Sequence, residues 1–152
     1  MTKLSSAFNS NFDSLRVKTF EIGSQTFKVR VPLTKELDAM NERIAQIDEE
    51  EQKRRVEDMA GSFRIGEPVD GVIVSDDDVV VDGRSTKELV RTILEMENRI
   101  VEFVRLLVPQ NGTLEDITYA EIDAEWPMAV QLEILSKINE AIQPGYKDSR
   151  KN

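Results

Sequence analysis

The 152-residue sequence contains no histidine and no cysteine. This removes the commonest general acid–base, the thiol nucleophile, every disulfide and the commonest soft metal ligands. Any chemistry would depend on carboxylates, lysines, hydroxyls and two tyrosines. We therefore expect a binding protein that is not an enzyme and has no cofactor and no bound metal.

Long apolar runs are also missing. None approaches the ~20 residues that span a bilayer, and the N-terminus lacks the apolar core of a signal peptide. The chain has 20 Lys and Arg against 29 Asp and Glu, a net charge of −9. This charge repels phosphate backbones. We expect a cytoplasmic protein with neither a nucleic-acid nor a membrane partner.

Composition along the chain predicts three parts. Residues 1–15 are rich in Ser and Asn and are predicted to form a flexible N-terminal arm. The spacing of about four residues between Leu4, Phe8 and Phe12 would also suit a helix that folds onto a partner. Residues 16–144 are predicted to form a single α+β domain, and residues 145–152 a polar C-terminal tail.

A β-hairpin is the clearest local prediction. Gly23-Ser24 lies between two alternating segments, and glycine at the first central position indicates a type II′ turn. If Ile22 pairs with Gln25, then Phe20 pairs with Phe27 and Lys18 with Val29. This register places one set of apolar side chains on a single face. That set is Phe20, Ile22, Phe27, Val29 and Val31.

One long helix is predicted after the hairpin. Thr34 is its predicted N-cap, and the helix extends to about Met59. Its apolar stripe is formed by Leu37, Met40, Ile44 and Ile47. Beyond residue 48 the stripe ends and i,i+4 acid–base pairs follow. We expect this second half to project into solvent or onto a partner.

Residues 61–84 are rich in glycine and are predicted to be an irregular or β-hairpin insertion, with valine runs at 72–74 and 79–81 as its strands. Capping boxes at Ser85-x-x-Glu88 and Thr118-x-x-Glu121 predict two helix starts. The first of these helices is predicted to be the most buried one and to reach Val108. The second is interrupted at Pro127. The predicted fold class is α+β, one or two hairpins packed with a bundle of three to four helices.

Consecutive aspartates at 76–78, with Asp82, form the acidic cluster that fits a hard cation best. The spacing does not match a calcium-binding loop, and such aspartates are typical of turns. A divalent-metal carboxylate hydrolase that uses Asp76, Asp78 and Asp82 stays open as an alternative. A second alternative is a small acidic phage or bacterial inhibitor or adaptor that binds a basic host partner.

Two segments resemble a known family. The first is the hairpin at 18–29 leading into Pro32-Leu33-Thr34, and the second is Glu121-Ile122-Asp123-Ala124-Glu125-Trp126-Pro127-Met128-Ala129-Val130 with a terminal helix. Together they resemble the tail assembly chaperones of bacteriophages with long, non-contractile tails. The resemblance implies a protein absent from the finished virion that coats the tape-measure protein and keeps it soluble until tube subunits polymerise around it. Many such chaperones also have a frameshift-extended form that recruits the tail-tube subunit.

The expected partners are therefore the tape-measure protein and the tail-tube subunit. A homo-oligomer formed through a hairpin edge or the N-terminal arm stays open as an alternative to a monomer. A helical client requires apolar grooves. The partner-binding candidates are the apolar residues of the hairpin and the long helix, together with the single tryptophan: Phe20, Ile22, Phe27, Val29, Met40, Ile44, Ile47 and Trp126.

Overall fold

The structure is a computed structural model that describes residues 3–9 and 12–143. The predicted polar tail at 145–152 lies outside these residues. The chain folds into two compact units, one of Met1–Met40 with Ile100–Asn152 and one of Asn41–Arg99. We call them the hairpin unit and the acidic unit, because residues 41–99 hold 16 acidic and 9 basic residues.

The predicted hairpin is confirmed, with β1 at Val17–Ile22 and β2 at Gln25–Arg30. The strands are antiparallel, with Phe20 opposite Phe27 and Ile22 opposite Gln25, as the predicted register requires. Gly23 has a φ of 60°, whereas the φ of Ser24 is not positive. This combination fits a type II′ turn and not a type I′ turn.

A third extended segment pairs with β2. The Arg30 N–H donates to the Leu106 carbonyl at 2.9 Å, and the Val108 N–H donates to the Lys28 carbonyl at 2.8 Å. Between these bonds, Val29 and Leu107 form an antiparallel bridge. The helix predicted to reach Val108 therefore ends earlier, at residue 104. The backbone at 106–108 satisfies the open edge of β2 instead of continuing the helix.

The hairpin unit also contains α1 (Lys3–Phe8), a 3-10 helix (Asp13–Arg16), α5 (Tyr119–Glu125) and α6 (Met128–Ile142). Helix α1 lies within the predicted arm and has no buried residue. The capping box of Thr118 and Glu121 is present, and Pro127 separates α5 from α6, as predicted. The buried apolar residues of this unit are Val29, Met40, Ile100, Phe103, Val104, Leu106, Leu107, Ile122, Ile134, Ile138 and Ile142.

The prediction of one helix from Thr34 to Met59 is wrong. The structure has α2 at Thr34–Ala45 and α3 at Glu49–Ala60. Asp48 adopts an extended conformation, and its carboxylate accepts the N–H groups of Glu50 at 2.9 Å and Glu51 at 3.2 Å. An aspartate in this position is an N-cap, so it starts a new helix instead of continuing the old one.

Helix α3 does not project freely, contrary to the prediction. Within the acidic unit, Val56 packs with Val90 and Leu94 of α4 (Thr86–Val104) in a buried cluster. Arg55 also forms a bidentate ion pair with Glu97, with a distance of 2.7 Å between Nη2 and Oε1. A narrow apolar stripe among many charges is therefore sufficient to bury one face of α3.

The second predicted hairpin is confirmed as β3 (Val72–Val74) and β4 (Val79–Val81), to which β5 (Arg84–Ser85) adds a short third strand. The turn into β5 places Asp82 at φ 51° and Gly83 at φ 80°. The predicted α+β fold class is thus confirmed. In the described ranges, no helix combines the length and apolarity needed to cross a membrane.

Candidate partner-binding groove

An open groove of about 460 Å³ lies in the hairpin unit beside β2. Its walls come from the hairpin, the extended segment after α4, the following loop and the α5–α6 junction. We call it the Trp126 groove; its lining residues are Gln25, Thr26, Phe27, Lys28, Leu107, Val108, Pro109, Gln110, Leu114 and Trp126.

The hairpin wall is fixed by backbone pairing and by ring stacking. Phe27 stacks on Phe20 across the two strands. The pairing of β2 with residues 106–108 places Val108 next to Lys28. Although the Val108 backbone is hydrogen-bonded, the residue is 42% exposed. The wall therefore combines a fixed backbone with apolar side chains that are open to solvent.

The opposite wall depends on a buried glutamine. Gln131 of α6 is 1% exposed, and its Nε2 donates to the Trp126 carbonyl at 2.8 Å and to Asp123 Oδ1 at 3.0 Å. Its Oε1 accepts the Tyr119 hydroxyl at 2.9 Å. Because a buried amide with several partners is costly to disrupt, this network holds the Trp126 backbone in place. Gln131 is not among the residues predicted from the sequence. Its position on the same helix face as Ile134 and Ile138 would have indicated that it is buried.

The other predicted candidates occupy different environments. Val29, Met40 and Ile44 are buried core residues, so their side chains are not available to a partner in this structure. Ile47 is partly buried against the Val56 cluster of the acidic unit.

Only part of the predicted set therefore comes together. Phe20 and Ile22 are half-buried on the hairpin and do not line the groove. Phe27 and Trp126, which lie 99 positions apart in the sequence, line it together.

Asp78, within the acidic cluster at 76–82, has a structural role. The Oδ1 of Asp78 accepts the N–H of Lys87 at 2.9 Å and that of Val79 at 2.7 Å, and its Oδ2 accepts the Ser85 hydroxyl. Burial would raise the pKa of Asp78, but these hydrogen bonds outweigh it and lower the pKa. Ser85 Oγ in turn accepts the Glu88 N–H at 3.1 Å, as predicted for the start of α4. Asp78 thus caps α4.

Within residues 3–9 and 12–143, no group of three or more acidic side chains is arranged to hold a metal ion. Asp76, Asp78 and Asp82 therefore do not make up such a group in these ranges. Asp77 instead pairs with Lys87 Nζ at 3.1 Å.

Comparison with protein families, with curated proteins and with solved structures gives no match. The function is therefore inferred from the Trp126 groove and from the residues that form it.

Proposed function

We propose that this protein is a tail assembly chaperone of a bacteriophage with a long, non-contractile tail. In the host cytoplasm it binds the tape-measure protein, keeps it soluble and helps to recruit tail-tube subunits. It leaves before the virion is complete. The binding is stoichiometric and involves no chemical reaction.

One observation carries this proposal. The sequence resemblance rests on two separate segments, the hairpin and residues 121–130, and these segments meet at the Trp126 groove. Phe27 comes from the first segment and Trp126 from the second. Aromatic side chains at the edge of an apolar groove suit the anchoring of a partner, because they bury a large area with few rotatable bonds.

The size of the groove limits the type of occupant. A volume of about 460 Å³ falls in the usual range for binding pockets and accommodates a few side chains. One apolar face of a client helix fits this description. Apolar burial then dominates the affinity, so added salt weakens the complex little. The net charge of −9 keeps the loaded complex soluble.

Co-expression with the client tests the proposal. For this role, a very long, coiled-coil-rich reading frame is expected just downstream in the genome. Its product should be soluble with the wild-type chain and should aggregate with Val108→Asp, because that variant places a charge in the groove. Leu132→Asp is the matched control, since Leu132 on α6 is 44% exposed and lies outside the groove. If the long protein is equally soluble with and without this chain, the proposal is wrong.

A further inference from the structure

A second apolar surface lies in the acidic unit, around Phe63. One cavity of about 620 Å³ is lined by Met59, Phe63 and Leu89, together with residues of β4 and β5. A smaller cavity of about 320 Å³ is lined by Phe63, Val69 and neighbouring residues. Phe63 is common to both cavities, and we call the combined region the Phe63 surface.

The Phe63 surface exposes an unusual amount of apolar side chain. Of the 15 exposed large hydrophobic residues in the described ranges, five line one or both of these cavities: Met59, Phe63, Val69, Val74 and Leu89. Met59 and Leu89 are each 51% exposed, although both are on helices whose other faces are buried. A concentration of exposed apolar residues of this kind indicates an interaction site, because it costs free energy in the free protein.

The chain segment that contains this surface is strongly acidic. Residues 57–89 include nine acidic and three basic residues. Of the three basic residues, Arg64 pairs with Glu57 at 2.7 Å, Lys87 pairs with Asp77 at 3.1 Å, and Arg84 lines the larger cavity. The resulting negative field attracts a basic partner and repels an acidic one.

We propose that the Phe63 surface binds an amphipathic, basic segment of another protein. Apolar residues at helical spacing enter the two cavities, and flanking Lys or Arg residues approach Asp82, which lines the larger cavity. The apolar cavities and the negative field together disfavour a nucleic acid. This inference does not depend on the proposed chaperone function, because it uses a different surface in the other unit.

A designed peptide tests the charge requirement. The probe is a fluorescein-labelled helical peptide of Leu and Lys, with Leu at i, i+3, i+4 and i+7, and the matched peptide has Glu in place of each Lys. The full-length chain should bind the Lys peptide and not the Glu peptide. Affinity should fall as NaCl is raised from about 0.05 to about 0.5 M, because the charges attract each other through solvent. Equal binding of the two peptides overturns the proposal.

Substitutions test the location. Leu89→Ser and Met59→Ser should each weaken binding of the Lys peptide about tenfold, because each removes one apolar anchor. Leu132→Ser is the matched control and should bind as the wild type does. Asp82→Asn should weaken binding a few-fold at low salt, and asparagine tolerates the positive φ at this position.

Two independent anchor variants keep the test decisive if one of them fails to fold. Wild-type affinity in a folded Leu89→Ser or Met59→Ser variant contradicts the assigned surface. Val108→Asp, in the Trp126 groove, should retain peptide binding. The failure of this inference is thereby distinguishable from the failure of the chaperone proposal.

Discussion

The aromatic rings of Phe20 and Phe27 stack across the hairpin, with centroids 5.3 Å apart and planes at 15° to each other. The two residues are directly opposite in the strand register. Stacked aromatic pairs are worth about 0.5–1.5 kcal/mol beyond the area they bury. The pair therefore supports the strand register, and the register places Phe27 in the wall of the Trp126 groove.

The turn that sets this register requires glycine. Gly23→Ala should lower the free energy of unfolding by about 1–2 kcal/mol, because its φ is 60° and alanine is strained there. An added Cβ at Gly23 meets no atom within 4 Å, so the cost is backbone strain and not a clash. Ser24→Ala is the control and should stay within about 0.5 kcal/mol of wild type in urea unfolding. Equal stability of the two variants contradicts the turn assignment.

The core of the hairpin unit depends on Ile100. Its side chain is 1% exposed, so Ile100→Ala should lower the free energy of unfolding by about 2–5 kcal/mol. Leu132→Ala removes a comparable side chain from an exposed helix position and should cost far less. Thermal unfolding of the two variants makes the comparison. An Ile100→Ala protein that melts at the wild-type temperature shows that Ile100 is not in the core.

Asp78 should matter for stability, whereas its neighbour Asp76 should not. Asp78→Ala removes the acceptor for the Lys87 N–H and should cost about 1–2 kcal/mol, as the loss of a helix cap does. Asp76→Ala, at an exposed position of the same loop, should change stability by less than about 0.5 kcal/mol.

Thermal melts with and without Mg²⁺ test the hydrolase alternative at the same residues. A melting temperature that rises with Mg²⁺ in the wild type and not in Asp78→Ala favours the hydrolase alternative.

Acid should weaken the acidic unit. Hydrogen bonds from Arg54 and Arg55 lower the pKa of Glu51 from 4.5 to about 2. A carboxylate whose pKa is lower in the folded than in the unfolded state stabilises the fold at pH values above its unfolded-state pKa. This stabilisation is lost as the pH falls through its folded-state pKa. The free energy of unfolding should therefore fall between about pH 4.5 and 2, where the Asp78 carboxylate acts in the same direction.

Glu51→Gln should make this pH dependence shallower. At pH 7 it should cost less than about 1 kcal/mol, because exposed ion pairs contribute little. Glu50→Gln, at the adjacent exposed position, is the matched control for the removal of one carboxylate. Denaturant unfolding at a series of pH values measures both variants, and identical slopes contradict the role assigned to Glu51.

Local signals in the sequence were sufficient for part of the fold. Gly23 between two alternating segments predicts the first hairpin, and the two valine runs predict the second. Asp48 was missed as a helix boundary, because an aspartate between charged residues is equally compatible with a continuous helix. Helix α4 ends before Val108 because β2 offers backbone partners, and no local pattern encodes that long-range pairing.

The sequence predicts two residues of the Trp126 groove individually, but it does not predict that they lie in the same groove. Phe27 and Trp126 were selected as an aromatic on a hairpin face and a tryptophan at a helix junction. Their meeting depends on Val108 and on the contacts that Gln131 makes, which exist only after the chain has folded. Met40 and Ile44 are buried, so their side chains are not available to a partner. The sequence could not show this, because an apolar stripe on a helix looks the same whether it faces the core or a partner.

Fluorescence of Trp126 tests the central claim most directly, because it is the only tryptophan in the chain and it lines the groove. Purified protein is titrated with tryptophan-free segments of the tape-measure protein in low and high salt. The account predicts a saturable blue shift at one-to-one stoichiometry that persists at high salt, is kept by Leu132→Asp and is lost in Val108→Asp. Binding detected by sedimentation without any change in Trp126 emission, or no binding by any segment, would contradict it.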